Sequence, residues 1–258
     1  MTICRLCSQE RKLVKSHIIP EAFWRRGRTG DGVPHLLTKA QGAFPKRAPV
    51  GVYGRFLCAS CEGKFQEVDS YGAQVLIQDF ESLFMPFVRD GVLRAFESTA
   101  VDQAQLLRFV VSVAWRASVS DHPFFKHVDL GAFLADAAKV VLHPELPVDS
   151  EQFSCVLTIR MPEVWSTEVA NTMISPRKRD LEGATVFEAP FARAKALLRV
   201  GQPKMPDAAE TLSLTAKDRL SIYVSDFRAS RDLRDMIDIV HATDPKVMGG
   251  RESSRSEA

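Results

Sequence analysis

At 258 residues the chain is long enough to bury a real core, as one large domain or two modest ones. Hydrophobic residues at 45% and charged residues at 26% are ordinary for a globular protein, and no apolar run approaches the ~18 residues of a membrane span, which excludes an integral membrane protein. The net charge of +2 hides an asymmetry: residues 1–64 hold twelve Lys/Arg against four acids, a balance of +8 that leaves −6 for the remainder. A basic N-terminal segment on an acidic remainder points to a polyanion bound by the first part and not by the second, against the plainer reading of scattered surface charge.

Along the chain, residues 1–61 are rich in glycine and proline and read as loops. From Ser60 to about Asp79 the texture turns helical, with Phe65, Val68, Gly72, Val75 and Leu76 spaced three to four apart. Thr99-Ala-Val-Asp102 resembles a capping box and opens a helix through Leu106, Leu107, Val110, Val113, Ala114 and Ala117. Asp129 caps a helix over 129–142 that stops before Pro144. Residues 153–160 read as a strand, as do 184–189 and 195–200. A last amphipathic helix near 228–241 contains Leu233, Met236, Ile237 and Val240, and the polar tail after Asp244 is expected to be disordered. The simplest partition is a module over 1–79, an α+β domain over 80–243 and a tail over 244–258. No signal segment is visible at the start, so a cytoplasmic protein with reduced thiols is expected. There, paired cysteines hold metal more often than they form disulfides.

Cys4-Arg-Leu-Cys7 and Cys58-Ala-Ser-Cys61 are two C-x2-C pairs. Two intervening residues let both sulfurs of a pair turn onto one metal, and two such pairs complete a tetrahedral sulfur site, so structural Zn²⁺ is expected on Cys4, Cys7, Cys58 and Cys61. Its binding free energy would fold a segment too poor in apolar residues to fold alone. A redox dithiol is the other reading of a C-x2-C pair, and it lacks a surrounding βαβ pattern here. Four thiolates close the site, so this metal is not expected to be catalytic. Cys155, among Phe153, Val156 and Leu157, reads as a small buried hydrophobe.

Between the two pairs lies Leu13-Val-Lys-Ser-His17-Ile-Ile-Pro20. The order of a C-x2-C pair, a short β segment ending in His-Ile-Ile-Pro, and Leu-Cys-x2-Cys opening a helix resembles the HNH (ββα-metal) nuclease superfamily, most of all its four-cysteine zinc-containing branch. The resemblance covers about residues 3–75. It implies an α+β chain whose N-terminal zinc-stapled ββα-metal module precedes a mixed helical/β domain. It also implies hydrolysis of phosphodiester bonds in DNA, with His17 as general base and a Mg²⁺ or Mn²⁺ ion between hairpin and helix. A neutral imidazole suits that task, since it can take a proton from attacking water near neutral pH.

Three departures from the family pattern concern the metal. The usual acid before the histidine is Ser16, Val52-Tyr53-Gly54-Arg55-Phe56-Leu57 contains no Asn, and the position after the last cysteine is Glu62. Glu62 is a competent hard-oxygen ligand, and Asp69, two helical turns on, faces the same way; together they are expected to replace the missing acid. For Asp69 the alternatives are a solvent-facing side chain or a pair with a hairpin arginine. His35 in the long insertion is a further candidate. That insertion carries Phe23-Trp24-Arg25-Arg26, Lys39, Lys46 and Arg47, and DNA contact is expected at Arg25, Arg26, Lys46 and Arg47, while Phe23 and Trp24 either stack on bases or form the core of a short helix.

Residues 80–243 show no catalytic constellation. His122, His127 and His143 read as caps or surface groups, Trp115 as core, and Arg177-Lys178-Arg179 as a short basic loop. A regulatory, oligomerising or partner-binding role, through self-association or a protein partner, is expected of this part. HNH modules with such companions resemble defence or mobile-element nucleases. The competing readings are a degenerate module that binds nucleic acid without cutting, and a zinc-folded interaction protein.

Overall fold

The computed structural model describes residues 2–25, 35–38, 46–48, 51–160, 172–191, 194–214, 218–226 and 230–242. Strand β1 (Thr2–Ile3) pairs with β2 (Glu10–Arg11) in a small antiparallel ribbon. Strand β3 (Leu13–His17) leads into helix α1 (Glu21–Arg25), and the short β4 (His35–Leu37) and β5 (Lys46–Arg47) follow. Strand β6 (Tyr53–Cys58) returns antiparallel to β3 and runs directly into α2 (Ala59–Gly63) and α3 (Gln66–Ala73). A wider helical turn over Gln74–Gln78 and α4 (Phe80–Leu83) close this stretch.

Strands β7 (Met85–Arg89) and β8 (Val92–Ser98) form a hairpin whose Asp90-Gly91 turn has positive φ at both residues, 54° and 71°, the conformation that matches strand twist. Helices α5 (Gln103–Val119) and α6 (Leu134–Leu142) follow, then β9 (Phe153–Arg160), β10 (Met173–Ile174), β11 (Arg177–Leu181), β12 (Ala184–Phe191) and β13 (Ala194–Val200). The described chain ends with α7 (Asp207–Glu210), β14 (Leu220–Ser225) and α8 (Arg231–Ala242). Seven strands make one sheet in the order β11-β12-β13-β9-β14-β8-β7, in which β9 and β14 run parallel and the other neighbours antiparallel. The fold is α+β. No helix among the described residues is long and apolar enough to cross a membrane.

Element by element, the structure corrects several expectations. Helix α5 starts at Gln103 and not near Thr99, because the Asp102 carboxylate accepts the Gln105 N–H at 3.0 Å and caps it. Asp129 accepts from the Gly131 N–H at 2.9 Å, but a tight turn over Gly131–Phe133 intervenes before α6 begins. Arg177-Lys178-Arg179 is an edge strand and not a loop: Arg177 is ion-paired with Glu188, Asp232 and Asp235, and Arg179 with Glu188, so both are committed inside the protein. The tail 244–258 lies outside the described residues.

The largest correction concerns the boundary at residue 80. One hydrophobic core runs from Cys4 to Ile222 across it. The Phe23 ring stacks on Phe109 at 5.4 Å and meets Phe191 edge-on at 5.9 Å, and Phe65 stacks on Trp115 at 5.9 Å. The insertion is tied across as well, because β4 pairs parallel with β10, and Leu37 packs with Ile174, Met236 and Ile239 beneath α8. Beyond the shared core, a small cluster of Val156, Ala184, Val186 and Met205 lies wholly in the second part. The two segments are halves of one packing unit.

Helix α3 meets α5 at Gly72, where a Cβ would stand 2.5 Å from the Phe109 ring. Helix propensity alone favours Gly72→Ala by about 1 kcal/mol, whereas overpacking of this kind costs about 1–3 kcal/mol. The second effect wins: Gly72→Ala is expected to lower stability in urea unfolding, and a more stable variant would show that α3 and α5 are not packed this closely.

Candidate active site

The four cysteines of the two C-x2-C pairs come together although about fifty residues separate the pairs in sequence. Cys4 and Cys7 sit in a turn closed by Ser8 N–H to the Cys4 carbonyl (2.9 Å) and Cys4 N–H to the Gln9 carbonyl (3.0 Å). Cys58 ends β6 and Cys61 lies in the following turn of α2. The four sulfurs lie within 4.8 Å of one another, which accommodates the ~3.8 Å edge of a tetrahedron with metal–sulfur bonds of ~2.3 Å. The Cys58 N–H donates to Cys4 Sγ at 3.3 Å.

Burial raises the Cys4 thiol, but the N–H groups of Cys7, Cys58 and Leu6 outweigh it and bring the thiol down to about 6. Burial and the neighbouring thiols push Cys61 up instead. Four sulfurs at this spacing are consistent with a structural metal. Cys155 is fully buried in β9, its thiol raised by burial, as its sequence setting implies.

One residue past the cluster a second group of polar side chains converges. The β3–β6 pairing contains a bulge: Val14 faces Leu57, but Ser16 faces Gly54 and His17 faces Tyr53, so β6 carries one extra residue. Bulges re-aim side chains, and here Ser16 is turned fully inward. His17 is half-buried, its ring edge-on to Tyr53 at 6.0 Å. Glu62 follows Cys61 in α2, half-buried, and burial raises its carboxyl above the usual range. Ser16, by hydrogen bonding, and the charges of Arg116 and His17 oppose that rise, and Asp69 adds to it. Ser16 Oγ and Glu62 Oε2 are both buried and neither makes a hydrogen bond of normal geometry, although Ser16 lies near enough to Glu62 to favour its charged form. Two orphaned oxygens beside an imidazole fit a hard cation, which takes oxygen donors.

Asp69 is in this neighbourhood but is otherwise engaged. Its two oxygens accept from Arg116 Nη1 (2.7 Å) and Nη2 (2.6 Å), so it supports the site from behind and is not free as a second ligand. The partner is not a hairpin arginine: Arg116 reaches in from α5. It is fully buried, donates also to the His17 carbonyl at 3.3 Å and lies 4.7 Å over the Phe65 ring. A sequence signal for it exists. Phe109, Ser112 and Arg116 fall three and four apart on the buried stripe of α5, so a charged residue interrupts an apolar face.

Phe23 and Trp24 are core residues of α1, and Trp24 Nε1 donates to the Ile19 carbonyl at 3.1 Å, so neither is available to stack on a base. Arg25 ends α1 and Lys46 and Arg47 form β5, but their side chains, like that of His35 on β4, lie outside the described residues, as do Arg26 and Lys39 altogether. Two exposed groups escaped the sequence reading: Lys15 sits 3.6 Å over the Tyr53 ring, adjoining His17 on the hairpin. Farther away, His122 accepts the Phe124 N–H at 3.2 Å as a cap, and His143 pairs with Glu145 at 3.2 Å. No family model, no curated protein and no solved structure matches this chain.

A raised Glu62 makes stability depend on pH. The folded state keeps the proton to a higher pH than the unfolded chain, so this contribution is intact below the ordinary carboxyl value of 4.5 and is lost as pH rises through the folded-state value. Glu62→Gln removes the ionisation. It is expected to be more stable than wild type at pH 7, with a difference that shrinks on acidification to pH 4; a variant less stable than wild type at pH 7 would contradict the burial described for this carboxyl.

Proposed function

We propose that the chain is a metal-dependent endonuclease of the HNH type that hydrolyses phosphodiester bonds in DNA. The observation that carries this reading is the pair of orphaned buried oxygens, Ser16 Oγ and Glu62 Oε2, next to His17 on a strand-pair-and-helix frame closed by four cysteines. Zn²⁺ is the proposed metal of the cysteine cluster, where it folds the frame and takes no part in the chemistry.

Glu62 and Ser16 are the residues that would hold a Mg²⁺ or Mn²⁺ ion, and such an ion supplies charge stabilisation on the phosphate and the leaving oxygen. His17 takes the proton of the attacking water as that oxygen bonds to phosphorus. Its ring is held edge-on by Tyr53 and its carbonyl by Arg116, so the base is fixed in direction as well as in place. One carboxylate is a thin ligand set, of the kind that would suit Mg²⁺, an ion usually held by one or two protein carboxylates. The excess of positive charge over residues 1–64 favours a polyanionic substrate and speeds its arrival.

A second reading, a module that binds nucleic acid without cutting it, draws on one observation. Ser16 stands where an acid is usual and Asp69 is engaged by Arg116, which leaves Glu62 as the free acid of this cluster.

Nicking of supercoiled plasmid with Mg²⁺ or Mn²⁺ tests the first reading. His17→Ala should lose about 10²–10⁴ in rate, the usual contribution of a positioned general base. Glu62→Ala should abolish cleavage while DNA affinity holds or rises, because a carboxylate near phosphate is gone. Wild type that never cuts with any divalent ion, yet shifts DNA in a salt-dependent way, would establish the binding module instead.

Metal analysis of the purified chain is expected to give one zinc per molecule, with Cys58→Ser losing both the metal and the folding of residues 2–25. A disulfide among the four cysteines would rule zinc out.

A further inference from the structure

Arg116 is a costly residue for the centre of a core. A fully buried guanidinium loses several kcal/mol of hydration, and exchanging a buried ion pair for apolar side chains of like volume is often neutral or stabilising. Its presence therefore calls for something other than stability. Its five donors form a rigid fork, and the fork reaches separate elements: Asp69 on α3 at 2.6 and 2.7 Å, the carbonyl of His17 at the end of β3 at 3.3 Å, and Ser112 on its own helix at 3.4 Å. The Phe65 ring supports the guanidinium at 4.7 Å and fixes its plane.

Beside these anchors lie Ser16 and Glu62, whose buried Oγ and Oε2 lack a hydrogen bond of normal geometry. Arg116 braces both from behind, holding the strand through the His17 carbonyl and the helical side through the bidentate Asp69 carboxylate.

We infer that Arg116 is the positioning residue of this centre, spacing His17 and Ser16 on β3 against Glu62 on α2 through its fork to the His17 carbonyl and Asp69. The inference rests on the nuclease reading above for its purpose, but not for its geometry. It makes helix α5, more than forty residues beyond the cysteine cluster, a part of the site.

The test is made on the full chain. Removing Arg116 alone strands Asp69 and risks unfolding, so the informative variant is the double replacement Arg116→Met/Asp69→Leu, which leaves no unpaired charge and should melt near wild type. Mn²⁺ affinity measured by electron paramagnetic resonance should fall about 10–100-fold in it, the usual effect of removing a group that orients a ligand. The ring signals of ¹⁵N-labelled His17 should shift at constant pH in the absence of Mn²⁺. Arg116→Lys, which keeps the charge and loses the fork, should fall between the two, and it carries the test if the double variant fails to fold.

A folded variant with wild-type Mn²⁺ affinity and unmoved His17 signals would reduce Arg116 to a strut and overturn the proposal. Should wild type take up no Mn²⁺ and cut nothing, the nuclease reading fails on its own, and Arg116 is judged by the His17 signals alone: shifted signals uphold the positioning role and unmoved ones overturn it.

Discussion

Four sulfurs within 4.8 Å of one another join the turn after β1 to the junction of β6 and α2; Ser16 and His17 are presented by β3, which pairs with β6, and Glu62 by α2. Cys58 ends the strand that pairs with β3, so the cluster aligns the hairpin on which Ser16 and His17 lie. Cys61 directly precedes Glu62, so the same cluster anchors the helix from which the carboxylate projects. The chain here is rich in glycine and proline and forms strands of two to six residues, too short to hold a register by themselves. A metal bound at this point would tie these short strands together next to Ser16, His17 and Glu62.

The staple is not sufficient, because the hairpin-and-helix frame has two faces to cover. Phe23, Phe65 and Gly72 meet Phe109, Phe191 and Trp115, so the inner face is sealed by α5 and by the large sheet behind it. The companion segment is therefore neither an appendage nor a separable regulator. It supplies the hydrophobic wall, and through Arg116 it supplies the one cation that reaches Asp69 and the His17 carbonyl together.

What could be read from sequence divides along the same physical line. The cysteine cluster was legible because its pairs are local: two intervening residues define the geometry of each pair. Helix α5, strand β9 and the buried Trp115 and Cys155 were legible from periodicity. Strand β14 had a period-two pattern in Leu220, Ile222 and Val224 that went unread. Strand β7 offered none, being exposed along its whole length and having no inward face to mark. The boundary at residue 80 misled because composition and charge do change there, whereas a core is a matter of contacts. The engagement of Asp69 was illegible for a related reason: its partner lies 47 residues away, and a carboxylate two turns from a ligand looks alike whether it faces a metal or a guanidinium.

The two carboxylates contrast in how their oxygens are satisfied. Asp69 and Glu62 share a neighbourhood, and a protein selected for stability alone would pair both. Asp69 is paired with close, bidentate geometry, whereas Glu62 keeps one buried oxygen without a hydrogen bond of normal geometry and a carboxyl that burial raises. An unsatisfied buried acceptor costs about 1–3 kcal/mol, and a neutral side chain at position 62 would avoid it. Ser16 repeats the pattern at smaller scale, a fully buried hydroxyl that makes no hydrogen bond of normal geometry. Two such liabilities lie side by side, placed by a bulge on one element and by the helix that follows Cys61 on the other, and the proposed metal site rests on them.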